Sequence, residues 1–363
     1  MNARGSCAAG RLSWAKSIVV LGVTVAGCTT VGPELIRSGR PAYNDAILQT
    51  NDEQLLQNVV RLRFGDSVGF LTVSSVTANV SLTTTGTVNV GWGPTANFAG
   101  NLVPFTGTLA REQNPTISYA PVSGERLVKQ LVSEIPLDLA VLIISSARPP
   151  QSGWNAIVRR INTLRNPDFV DPPSVVTDPR FEEIVALLST LQRQGRLRWV
   201  QLEGGEKGYA MILHGDSPRH DAEVEGLAAL LDLAKPATPG ADWIIPVRSA
   251  AGTAERGAIG IETRSLLDVM QIAAAAVDVP PDLAAFADAP RAGMAGRDIR
   301  ILSAASRPDG ARVAIPYRGR WYYIDDRDAA AKQWFRMLQL LSSASLPQSS
   351  SVAPVLTIPV TRK

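Results

Sequence analysis

The sequence predicts an α+β fold: a mostly antiparallel sheet with helices following hairpins, plus an N-terminal helix and a Thr/Gly-rich β-hairpin region. Three observations predict it. Period-2 alternation of apolar and polar residues recurs in paired short segments separated by turn residues. Helical periodicity follows these pairs and not single strands, which argues against a doubly wound sheet. Hydrophobic residues make up 45% of the 363 positions, ample for a large core.

Residues 41–64 are predicted helical, because Thr50-Asn51-Asp52-Glu53 has the capping-box pattern and Leu55, Leu56, Val59, Val60 and Leu62 recur at helical spacing. Phe64-Gly65-Asp66 ends that run. Val76, Ala78, Val80 and Leu82 then alternate with Thr77, Asn79, Ser81 and Thr83 as a strand with one apolar face. Thr84-Thr85-Gly86 reads as a turn, and Val88, Val90 and Trp92 as the returning strand. Another strand is expected over 116–119, and Ser123 is expected to cap a helix with Leu127, Val128, Leu131, Val132 and Ile135 on one side. Leu137 to Ser145 is an apolar run of core length, too short for a membrane. The proline-rich "ARPPQSG" (147–153) is read as a boundary between a region over 41–147 and an α+β domain over 153–346.

In that second half Asp178-Pro179 opens a helix with Glu182 and Glu183 in its first turn, the stripe Phe181, Ile184, Val185, Leu188, Leu191, and Gly195 past its end. Strands are expected at 196–202 and 207–213 around Gly204-Gly205, then a helix near 220–233. Strands near 243–248 and 258–262 precede a helix over 264–277, and strands near 299–304, 311–317 and 320–324 precede one over 327–342. The junctions "GIETRSLLDVM" and "YIDDRDAAAKQ" look alike, with Thr263 and Asp326 as caps, by shared capping chemistry or by duplication. Residues 347–363 are a flexible link and a last strand at a sheet edge, since Pro359 has no donor.

The N-terminus reads as a targeting segment. Residues 1–17 hold Arg4, Arg11 and Lys16 and no acid, and Ile18 to Val25 is a short apolar run. Val25-Ala26-Gly27-Cys28 resembles the lipobox of bacterial lipoproteins. The resemblance implies cleavage of residues 1–27, diacylation and N-acylation of Cys28, and a periplasm-facing protein held at the membrane by lipid. Val25 departs mildly from the commoner Leu, and an ordinary signal peptide with a chance cysteine is the alternative. Thr29, where an Asp would imply inner-membrane retention, implies sorting to the outer membrane. More than one acyl chain makes such an anchor stable. Residues 28–40 are expected to be an extended tether. The segments "NDEQLLQNVVRLRFGD", "PTISYAPVSGERLVKQL" and "YRGRWYYIDDRD" are similar to uncharacterised bacterial lipoproteins, a likeness that implies no reaction and no site residue.

Cleavage would leave 33 basic and 33 acidic residues from the 36 and 33 of the whole chain, so no general nucleic-acid charge is indicated. It would also remove Cys7, leaving no intrachain disulfide.

No cofactor and no metal ligand set is recognised. His214 and His220, the only histidines, lie with Asp216, Ser217 and Asp221 in one nine-residue segment, a poor way to converge catalytic groups; a hydrolase with an unrecognised site is kept as an alternative. Asp325, Asp326 and Asp328 are read as helix-capping acids before a sugar-cleaving pair. Tyr317, Trp321, Tyr322 and Tyr323 form an aromatic hairpin that could stack on a glycan or peptide. Arg159, Arg160 and Arg165 are read as a solvated helix face, with contact to lipid headgroups or a partner as the alternative.

The most unusual feature is the absence of any Asp, Glu, Lys or Arg from Ser67 to Ala110, where 19% charge would supply about eight. Val76, Val80, Leu82, Val88, Val90 and Trp92 are therefore the candidate membrane or subunit contact. The expected role is binding or envelope assembly, with membrane lipid at Cys28 and a homo-oligomer or envelope protein as partners. The alternative is a subunit of an oligomeric outer-membrane pore or secretion complex using residues 67–110.

Overall fold

The computed structural model describes residues 31–88, 105–169, 178–202, 208–214, 221–234, 241–249, 257–287, 294–345 and 356–359. Two compact units are present, Met1–Asp52 and Glu53–Lys363. The fold is α+β, as the alternation of periods predicts.

Helix α1 spans Val31–Arg63. It corrects the sequence reading twice: residues 31–40, expected to be extended, are helical, and the capping-box pattern at Thr50–Glu53 lies inside the helix. Thr50 spends its hydroxyl on the Ile47 carbonyl one turn back, the usual fate of a mid-helix Thr. In the second unit, Leu55, Leu56, Val59 and Val60 are buried as their spacing requires. Strands β1 (Phe70–Val88) and β2 (Phe105–Val122) form a long antiparallel ribbon, edged by the short β12 (Leu356–Pro359). The edge position of the Pro-containing last strand agrees with the missing donor of Pro359.

Three helices follow: α2 (Gly124–Val132), α3 (Leu137–Ser146) and α4 (Pro150–Ile157). The stripe foreseen on α2 splits, since Leu131 and Ile135 are buried while Val128 and Val132 are more than half exposed. "ARPPQSG" leads into α4, whose Trp154 is fully buried and whose Gly153 lies so close to Ala147 and Ile144 that a Cβ there would sit 2.9 Å from the Ala147 Cβ.

A six-stranded sheet runs β4-β3-β8-β7-β6-β5, with β3 Val158–Ile161, β4 Leu164–Arg165, β5 Leu197–Leu202, β6 Gly208–Leu213, β7 Trp243–Ser249 and β8 Ile259–Thr263. All its pairings are antiparallel except β7 with β8. Helix α5 (Pro179–Arg193) starts at the expected cap, where Asp178 accepts from the Arg180 amide at 3.0 Å. Its stripe Phe181, Ile184, Val185, Leu188 and Leu191 is at most 1% exposed. Helices α6 (Asp221–Leu231) and α7 (Leu266–Ala275) and the sheet β10-β11-β9 (Ala311–Tyr317, Arg320–Asp325, Leu302–Ala304) with α8 (Ala329–Ser345) complete the unit. One buried cluster runs from Leu55 to Leu341.

The two similar junctions serve different ends. At the first, Ser265 and not Thr263 is the cap, forming a capping box with Asp268, while Thr263 donates to the Ile135 carbonyl. Arg264 is fully buried and donates to Asp168 at 2.5 Å and to the carbonyls of Asn155, Ala156, Val158 and Asn166. Burial pulls its guanidinium below the ordinary value, against the opposing pull of Asp168. At the second junction Asp328, not Asp326, accepts from the Ala331 amide, and the Arg327 side chain is 89% exposed. Shared capping residues thus sit in different surroundings. Arg159 and Arg160 lie on β3 and not on a helix, paired with Asp268 at 2.7 Å and Glu262 at 3.1 Å.

Arg264 ties α4, β3 and the 166–168 segment to α7 through five acceptors. Arg264→Met should therefore cost about 3 kcal/mol, because it strands a carboxylate and several buried carbonyls. A urea unfolding midpoint unchanged by the substitution would contradict this role.

Candidate functional site

The uncharged segment forms one long ladder. Register runs without a break from Ser75↔Ser118 to Val88↔Phe105, after a single bulge between Val73 and Ser75. The expected turn at Thr84-Thr85-Gly86 is absent: these residues continue β1, opposite Leu109, Thr108 and Gly107. The returning strand is β2, not 87–92. Thr is a good strand former, and Gly86 faces another glycine, so nothing here forces a reversal. Of the candidate contact residues, Val76, Val80, Leu82 and Val88 lie on β1 opposite Ile117, Gln113, Arg111 and Phe105, while Val90 and Trp92 fall outside the described residues.

Period-2 geometry sorts this ladder into two unlike faces. One carries Val76, Ala78, Val80, Leu82, Thr84 and Val88 with Ile117, Pro115, Gln113, Arg111, Leu109 and Phe105. The other carries Ser75, Thr77, Asn79, Ser81, Thr83, Thr85 and Thr87 with Ser118, Thr116, Asn114, Glu112, Ala110, Thr108 and Thr106. At 19 residues and ~3.4 Å per residue, β1 is ~60 Å long, against a usual strand of about six residues.

The root of the ribbon is held by side chains that imitate a strand. The Asn58 carboxamide exchanges two hydrogen bonds with Gly69, at 2.8 and 3.1 Å, and Gln54 exchanges two with Leu71, at 3.1 and 2.8 Å. Four residues of helix advance about 6 Å and two of strand about 6.8 Å, so alternate strand residues meet successive turns of α1. Phe70, between them, is buried, while Leu71 is 45% exposed.

A second clamp comes from the aromatic hairpin. Arg318 and Gly319 both take positive φ at its two-residue tip, a twist-matched turn. The Tyr317 hydroxyl donates to Asp66, and Arg318 donates to the same carboxylate at 3.0 Å. The Arg318 guanidinium lies 5.1 Å from the Phe64 ring centre and within 6 Å of the Tyr317 and Phe286 rings. Tyr322 is fully buried with its ring edge toward Phe64, and Trp321 lies under Arg307. Two of the four aromatics are thus engaged with the segment that leads into β1; Trp321 and Tyr323 remain partly exposed. The hydrogen bonds from Tyr317 and Arg318 hold the Asp66 carboxyl below its ordinary pKa.

Among the described residues, His214 and the three acids near 325–328 each meet a separate partner. His214 Nδ1 lies 2.9 Å from Asp242, outside its own segment, and residues 215–220 lie outside the described residues. Asp325 accepts from the Arg327 amide, Asp326 meets Lys332 at 3.1 Å and Asp328 caps α8. A cleft of about 450 Å³ nearby is lined by Arg297, Arg300 and Arg327 with Asp298, Asp325 and Asp328, charges of both signs in equal number. Among the described residues no group of His, Cys, Asp and Glu could hold a metal ion, and no helix is long and apolar enough to cross a membrane.

Fold and site together define an α+β protein that carries a two-faced β-ribbon clamped at its root. Comparison with models of known families, with curated proteins and with solved structures gives no match.

Because its native pKa is lowered, ionised Asp66 contributes stability above the ordinary carboxylate range, and that contribution is lost as pH falls through the lowered value. The stability difference between the wild type and Asp66→Asn should be full at neutral pH and shrink toward zero in acid. A difference independent of pH between 7 and 2 would show that the carboxylate's charge is not what holds the hairpin.

Proposed function

We propose that this chain is an outer-membrane-anchored periplasmic lipoprotein whose work is binding or envelope assembly. The observation that carries the anchor is the sequence Val25-Ala26-Gly27-Cys28 behind a short basic and apolar leader. The observation that favours assembly over a reaction is the ribbon: a ladder far longer than fold stability needs, with its charges confined to β2.

A second reading, a subunit of an oligomeric pore or secretion complex, is favoured by the ribbon's faces. Apolar residues on one side and hydroxyl or amide residues on the other are what barrel strands need. The returning strand, expected over only 88–92, is instead β2 with 18 residues, long enough for a spanning strand. It also places Arg111 opposite Leu82 on the apolar face, so any part within lipid lies on the far side of that pair, where Leu82 to Ala110 carries no charge.

Replacing Cys28 by Ala should abolish acyl labelling and release the protein from membranes washed with high salt and carbonate. Persistence of the variant in the washed membrane would contradict a lipid-only anchor and favour insertion of the ribbon.

A further inference from the structure

We propose that the ribbon is an interface between copies of this chain, the free edge of β1 in one copy pairing with the free edge of β2 in the next. This rests on the assembly reading above and goes beyond it by naming the partner and the two edges. In the order β1-β2-β12, β1 is terminal, and among the described residues only Gln54 and Asn58 engage its outer edge, at Leu71 and Gly69. On the other side β12 covers Thr116 to Tyr119, and among the described residues no strand pairs with that edge of β2 from Phe105 to Pro115. Two rows of backbone donors and acceptors are therefore available, and such rows template further pairing unless they are blocked.

Beyond its one bulge at Val73–Ser75, β1 has none of the blocking devices. It holds no charged residue and no proline, and no bulge follows Ser75. Length selects the occupant. Among the described residues the other sheet edges, β4, β5, β9, β10 and β12, are 2, 6, 3, 7 and 4 residues long, too short for the free edge from Thr72 to Val88. Only the open edge of a second ribbon approaches it. Direction agrees as well: β1 and β2 are antiparallel, so the next copy's β2 beside β1 continues the same alternation and both faces carry on across the junction.

The faces argue against a ribbon that folds back on its own core. On β2 the residues buried at the root, Ser118 and Ala120, share their face with Thr116, Asn114, Glu112, Thr108 and Thr106. The apolar set, Ile117, Leu109 and Phe105, shares its face with the exposed Pro121. By alternation and register alone, the face that is buried at Ser118 and Ala120 continues along β2 with mostly polar residue types, and the alternate face with Ile117, Leu109 and Phe105. Edge pairing joins the apolar sides of successive copies into one continuous band. It places each Arg111 two strands, ~9.6 Å, from the next, about one Debye length at physiological salt, so repulsion is small. The contact is heterologous, with β1 meeting β2, and therefore closes only as a ring.

The test uses the full acylated chain extracted in detergent. Copies carrying Ser81→Cys are co-expressed with copies carrying one cysteine in turn at positions 106 to 114. Disulfides between copies should peak at alternate positions around one register. Thr77→Lys with Thr83→Lys should lower their yield by about tenfold or more, equivalent to 1.4 kcal/mol, while circular dichroism of the body stays unchanged. Absence of inter-copy disulfides at every position, an oligomer crosslinked only outside the ribbon, or an unchanged yield in the lysine variant would each overturn the proposal. A free Cys28 thiol in the unsubstituted mature chain would strike the lipid-anchor reading alone, and the same scan would then be read in the Cys28→Ala background.

Discussion

Every backbone N–H and C=O of a strand has to find a partner, and this requirement organises the molecule around its longest strand. At the root of β1 the partners are two carboxamides on α1, spaced so that successive helical turns meet alternate strand residues. Along its inner side the partner is β2, through an unbroken register of fourteen residues from Ser75 to Val88. Along the outer side beyond Leu71 no strand of the described chain supplies one. The first two arrangements fix where the ribbon begins and how it is held. The third leaves a surface whose only complete solution is water or another strand.

The body of the protein is arranged to keep that root rigid. Asp66, at the turn between α1 and β1, is gripped by Tyr317 and Arg318 from the tip of β10–β11. Phe64 sits between the same hairpin and the core. Further away, Arg264 draws α4, β3 and α7 around one guanidinium whose three nitrogens all donate. A guanidinium serves here because its planar fork can meet several carbonyls and a carboxylate at once, which an ammonium cannot. The polar side chains of Asp66, Arg264, Tyr317 and Arg318 thus hold elements together, and Asp325, Asp326, Asp328 and His214 are capping or paired.

Much of the fold was legible because periodicity is a strong signal where an element meets the core on one face. The α5 stripe and its Asp178 cap, the alternating strands of the second half and the edge position of Pro359 all follow from that. The failures came where local chemistry was ambiguous. Thr84-Thr85-Gly86 has turn-like composition, yet continues as strand because its pairing partners are Leu109, Thr108 and Gly107, well beyond hairpin reach. Thr263, Ser265, Asp326 and Asp328 are all competent caps, and tertiary position chose among them. Of the candidate site, the absence of charge from Ser67 to Ala110 singled out the segment that forms β1 and the start of β2. Of its partner strand only 116–119 was expected, because Arg111, Glu112 and Pro115 interrupt the alternation before it. The amides of Gln54 and Asn58 left one trace in the sequence: two polar residues a turn apart, beside the buried Leu55 and Val59.

The central claim is that the outer edge of β1 is unpaired in a single copy and paired in the assembly. Residue-resolved amide hydrogen exchange across Thr72 to Val88 tests it most directly, since in an antiparallel pair alternate amides face opposite edges. In the isolated chain every second amide should be protected, and in the membrane-extracted protein all of them. The same every-second pattern in both states would contradict the account.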